Sequence, residues 1–63
     1  MKVSSMEVGR WYEFKADGVI QVGRFTRHEL RPLPSNLRDV YVSNGAGERA
    51  VLPQAVIREV PRP

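Results

Sequence analysis

The chain is predicted to be all-β, a small five-stranded barrel, and three observations carry the prediction. Short runs of alternating apolar and polar residues recur between breaks rich in glycine, proline and asparagine. Each run offers one apolar face, and with so few residues a barrel is the economical way to bury all of them. The stretch from Glu48 to Val60 reads as strand, tight turn, strand. Pro53 has no N–H for a ladder bond and ends the first strand. Gln54-Ala55-Val56 has the length of one 3₁₀ turn, and Ile57 to Val60 is β-prone again.

Sixty-three residues make one domain, with residues 1–7 read as a frayed arm or the lead-in to the first strand, and 61–63 as a tail. The first firm strand is Arg10 to Lys15. Tyr12 and Phe14 extend an apolar face begun by Met6 and Val8, so Trp11 points away from the core. Ala16-Asp17-Gly18 is the turn. A two-residue Asp-Gly hairpin would set Phe14 opposite Gln21, apolar against polar. A three-residue loop with Gly18 left-handed pairs Phe14 with Ile20, Tyr12 with Val22 and Trp11 with Gly23. That register is the one expected, because a slip of one residue turns every side chain to the other face. It makes Arg10 and Arg24 cross-strand neighbours.

The second strand runs from Val19 to about His28. By parity Phe25 falls on the outer face with Trp11. A bulge at Gly23 is the reading that returns it to the core, and strong bending there would help a barrel close. Glu29 to Asn36 is a loop, since Pro32 and Pro34 exclude a central strand; Leu30, Leu33 and Leu37 are expected to cover an open end. Asp39 to Ser43 is the third strand, with Val40 and Val42 inward and Tyr41 outward. If Gly45-Ala46-Gly47 is the next loop, Val42 meets Ala50 and Val40 meets Leu52, and Arg49 lies outside beside Ser43. The closing 3₁₀ turn and strand complete a five-stranded SH3-like barrel.

Composition narrows the function. The chain has no cysteine and a single histidine, which leaves no disulfide framework, no thiolate site and no histidine cluster for a metal. There is no apolar h-region at the N-terminus and no apolar run of membrane-spanning length, so a cytoplasmic setting is expected. The formal net charge is +3, and eight of the ten basic residues are arginine. A GC-rich genome encodes arginine wherever any cation will do, but the guanidinium fork also suits phosphates and base edges. No serine stands in a nucleophile elbow, Gly45-Ala46-Gly47 is a hairpin turn and not a phosphate loop, and any pairing of Glu13 with Glu48 as acid and base is arbitrary. No catalytic residue and no cofactor are assigned.

What remains is aromatic and basic. The outer face is expected to collect Trp11, Lys15, Tyr41 and Arg49, with Phe25 and Arg27 if the second strand carries no bulge. Arg10 and Arg24, two like charges side by side, ask for an anion between them. Stacking surfaces interleaved with cations suit single-stranded nucleic acid. The same surface also suits a protein partner or a second copy of the chain, because Trp, Tyr and Arg are enriched at interfaces and a core this small gains from a partner.

The run Val51-Leu52-Pro53-Gln54-Ala55-Val56-Ile57-Arg58-Glu59-Val60 resembles the end of the plasmid-borne type II dihydrofolate reductases. Val8-Gly9-Arg10 and Gln21-Val22-Gly23-Arg24 sit where that family has its glycine-bearing strand segments. The resemblance implies an SH3-like chain of bacterial, phage or plasmid origin that assembles as an oligomer around a pore. The family's Val-Gln-Ile-Tyr substrate motif is replaced here by Arg49-Ala50-Val51-Leu52, so the fold carries over and the reductase site does not. The layout is equally similar to KOW and Tudor-like modules. The function expected is a small nucleic-acid-associated or regulatory binding module, with a protein-interaction or oligomerisation module second and an oligomeric reductase third.

Overall fold

The computed structural model describes residues 1–30, 38–45 and 47–63. The chain is all-β. Its strands are β1 (Trp11–Ala16), β2 (Val19–Leu30), β3 (Arg38–Ser43), β4 (Glu48–Val51) and β5 (Val56–Val60), with 3₁₀ turns at Val3–Ser5 and Pro53–Ala55. They form one antiparallel sheet in the order β4-β3-β2-β1-β5. The Pro53–Ala55 turn packs against both β1 and β3 and delivers the chain to the free side of β1. The expected strand, 3₁₀ turn and closing strand are all present.

The first hairpin corrects the expected register. Ala16 pairs with Val19, so the loop is the two residues Asp17 and Gly18, both at positive φ (54° and 75°). Two left-handed residues make a type I′ turn, whose twist matches that of the flanking strands. Phe14 does face Gln21, and Tyr12 faces Gly23. The polar intrusion is tolerated because Gln21 has partners: its Nε2 donates to Ala16 O at 3.4 Å and its Oε1 accepts from Asn44 Nδ2 at 3.2 Å. Ile20 and Val22 accordingly turn outward, 58% and 38% exposed.

The same shift settles Phe25. Counting from Gly23 it lies on the inner face, and it is 1% exposed, edge-on to Tyr12. No bulge at Gly23 is required. The irregularity comes three residues later, where Thr26 is extra between the pairs Phe25–Val42 and Arg27–Tyr41. Glycine is covered by an aromatic ring, but by Phe14 from inside and not by Trp11 from outside.

The core is Met6, Tyr12, Phe14, Ala16, Phe25, Val40, Val42, Val51 and Val56. Val8, expected on this face, is 65% exposed, because the Arg10 N–H closes a turn onto Glu7 O and Gly9 takes φ 92°. The Glu7 N–H donates to the buried Tyr12 hydroxyl at 2.8 Å, so that polar atom is not stranded in the core. The Met1 amino group donates to Pro53 O and Val56 O, each at 3.0 Å.

The second hairpin also differs by one residue. Val42 faces Arg49 and Val40 faces Val51, so Val51 enters the core in place of Leu52. Arg49 thereby shares the face of Val42, and the outer position beside Tyr41 belongs to Ala50. Leu30, expected to cover an end, is 59% exposed. Leu33 and Leu37 lie outside the described residues.

Candidate binding cleft beside Trp11

One row of the outer face runs across four strands. Ser43 pairs with Arg24, Arg24 with Trp11, and Trp11 with Val60. Beside this row is a cleft of about 520 Å³, within the ~300–1,000 Å³ of sites that hold small ligands or single residues of a polymer. Trp11, Val60, Pro61 and Gly9 give it uncharged walls. Its charged groups are Arg10, Arg24, Arg62 and Glu59.

The three arginines differ. Arg10 is clamped by two carboxylates, its Nε 2.8 Å from Glu7 Oε2 and its Nη1 3.0 Å from Glu59 Oε2. The hydrogen bond to Glu59, then the charges of Glu59 and Glu7, push its pKa above the ordinary arginine value. Arg24 and Arg62 line the cleft and have no acidic partner among the described residues. The expected Arg10–Arg24 pairing is therefore replaced by an Arg24–Trp11 pair, with Arg10 neutralised nearby.

The remaining residues expected at one surface are divided among three places. Phe25 is closed off in the core. Arg27 lies over the Tyr41 ring, its guanidinium carbon 3.8 Å from the centroid, and is paired with Glu29 and Glu48. Glu48 also accepts from the Thr26 hydroxyl at 2.7 Å. That hydrogen bond, against an opposing effect of burial and with help from Arg27, holds its carboxyl below the ordinary glutamate value. Arg49 reaches Asp17 of the first turn at 3.0 Å. Two of the basic groups expected to be free are thus held in ion pairs.

Glu59, Val60, Pro61 and Arg62 complete the cleft and were not read as site residues. Glu59 and Val60 do end the closing strand as expected, and Arg62 lies in the segment expected as a tail. The signal that could have found them is topological: once β5 is laid antiparallel to β1, its last residues must lie beside Trp11. Among the described residues no group of acidic and histidine side chains could hold a metal ion, and no helix is long and apolar enough to cross a membrane. Comparison with known proteins adds no relative: no family model, no curated protein and no solved structure matches the chain.

Proposed function

We propose that this domain is an SH3-like barrel that binds single-stranded nucleic acid in the cleft beside Trp11. The meander with β5 returned to β1, and the 3₁₀ turn before β5, support that fold reading. The observation that carries the function is a half-buried indole that shares a cleft with Arg24 and Arg62, two cations with no acidic partner among the described residues. A base stacks on Trp11 while its flanking phosphates meet the two arginines. Stacking of this kind is worth ~1–3 kcal/mol per base and tolerates any sequence, because every base has a π face.

The test is a titration of Trp11 fluorescence with oligothymidylate over a range of salt. Two phosphate contacts on a single strand give a slope of log K against log salt of about −1.4, and Arg24→Gln reduces it by about 0.7. Trp11→Ala weakens binding by ~1–3 kcal/mol and leaves the slope unchanged. Wild-type protein whose fluorescence does not respond at low salt refutes the proposal.

A second reading has its own observation. Ile20, Val22 and Ile57 are 58%, 38% and 47% exposed, the first two on the outer face and Ile57 as the extra residue where β5 slips against β1. An apolar protein surface or a second copy of the chain would cover them. Sedimentation equilibrium separates this reading from the first, since an apolar contact persists at high salt and phosphate binding does not.

A further inference from the structure

A cleft that takes an anion has no electrostatic use for a carboxylate, yet Glu59 lines it. The side chain is held in place: Arg10 donates to its Oε2 at 3.0 Å, and Arg10 is itself fixed from the other side by Glu7. Glu59 remains 44% exposed, and its Oε1 has no partner among the described residues. In β5 it pairs with Tyr12, one position from the Val60–Trp11 pair, and it lines the same cleft as the indole, so an acceptor is fixed in the cleft in which a base would stack. The guanidinium of Arg10 offsets the charge that would otherwise repel a phosphate.

An ionised carboxylate only accepts hydrogen bonds. In a single strand the Watson–Crick edge of an unstacked base is open to such contacts. Guanine presents N1–H and N2–H₂ side by side, two donors spaced for the two oxygens of one carboxylate. Cytosine offers a single amino group, and thymine a single N–H flanked by two carbonyls that a carboxylate repels. We infer that Glu59 reads the Watson–Crick edge of a guanine stacked on Trp11, so that the cleft selects guanine-bearing single strands. This inference rests on the single-strand reading above. Arg24 and Arg62 hold the strand by its phosphates and Glu59 chooses the base.

The experiment compares oligothymidylate with the same strand carrying one central guanine, on wild type, Glu59→Gln and Glu7→Gln. Glu7→Gln makes the same charge change beside Arg10 at a residue that does not line the cleft, and both glutamates are surface groups whose variants are verified by thermal melting. Wild type is expected to bind the guanine strand on the order of tenfold more tightly, the effect of one hydrogen bond to a charged group. Glu59→Gln is expected to bind both strands alike and oligothymidylate at least as well as wild type does. Glu7→Gln is expected to keep the preference. Equal binding of the two strands by wild type overturns the inference, as does a preference that survives Glu59→Gln or is lost equally in Glu7→Gln. Free GMP competing as effectively as the guanine strand also overturns it, and assigns the cleft to a nucleotide. Wild type that binds neither strand at low salt refutes the single-strand reading itself, a result distinct from equal binding of both.

Discussion

Replacing Gly23 by alanine places a methyl group where the core has no room. Gly23 faces Tyr12 on the inner side of β2. An added Cβ would stand 3.0 Å from Phe14 Cε1, 3.2 Å from Ser43 O and 3.2 Å from Val42 Cβ. Carbon atoms prefer ~3.5–4.0 Å, and none of the three neighbours can yield easily. Phe14 and Val42 are fully buried, and the oxygen belongs to the β3 backbone. Overpacking costs ~1–3 kcal/mol, and alanine recovers ~0.4–1 kcal/mol by restricting the unfolded chain, so the net loss is about 1–2 kcal/mol. In a domain of this length each kcal/mol is worth ~4–8 °C, and the melting temperature should fall by roughly 5–15 °C. Thermal and urea unfolding followed by circular dichroism measure it. Phe14→Leu in the same chain trims the nearest contact, and the two substitutions together should cost less than their sum. An unchanged or raised melting temperature in Gly23→Ala would mean that Gly23 faces solvent, as the three-residue hairpin requires, and would refute the register.

Gly18→Ala should lose roughly 1–2 kcal/mol from backbone strain alone, because φ is 75° and nothing stands within 4 Å of the added carbon; a stabilised variant in a urea melt would exclude the type I′ turn. Phe25→Ala should remove ~3–5 kcal/mol, about the whole stability of so small a domain, and leave a chain unfolded by circular dichroism; a folded variant defective only in binding would place Phe25 at the surface. Glu48 has a lowered carboxyl pKa in the folded state, chiefly through the Thr26 hydrogen bond. Its contribution is therefore present in full above the unfolded glutamate value and disappears as pH falls through the lower folded one. The gap in melting temperature between wild type and Glu48→Gln, open at neutral pH, should close in acid. A gap that does not vary with pH would show that the carboxylate is not bound in this way.

Much of the fold is legible in the residues. Alternation identifies Tyr12, Phe14, Val40 and Val42 as core, and all four are fully buried. Pro53 marks the end of β4, and the 3₁₀ turn and closing strand follow it as expected. These features are local: a period of two and a missing N–H act wherever the chain goes. The candidate site was legible only in part. Trp11, Arg10 and Arg24 could be named from strand parity and charge, but Glu59 and Arg62 are distant from them in the chain.

The sequence by itself determined that the chain is β-rich, that Trp11 turns away from the core, and where its strands lie, except that β2 runs on through Glu29 and Leu30, which were expected to begin a loop. Tertiary structure decided which of the two possible registers the first hairpin takes, and it decided the register of the second. In the first, the expected rule of apolar against apolar gave way to the backbone preference of Asp17-Gly18, once Asn44 from another hairpin could satisfy Gln21. That partner is 23 residues away, so no local pattern reports it. The same holds for the arginines. Whether a guanidinium is free for a ligand depends on which carboxylates the folded sheet brings within reach. Glu59 reaches Arg10 across 49 positions of sequence, Asp17 reaches Arg49 across 32, and Arg24 is left without an acidic partner among the described residues.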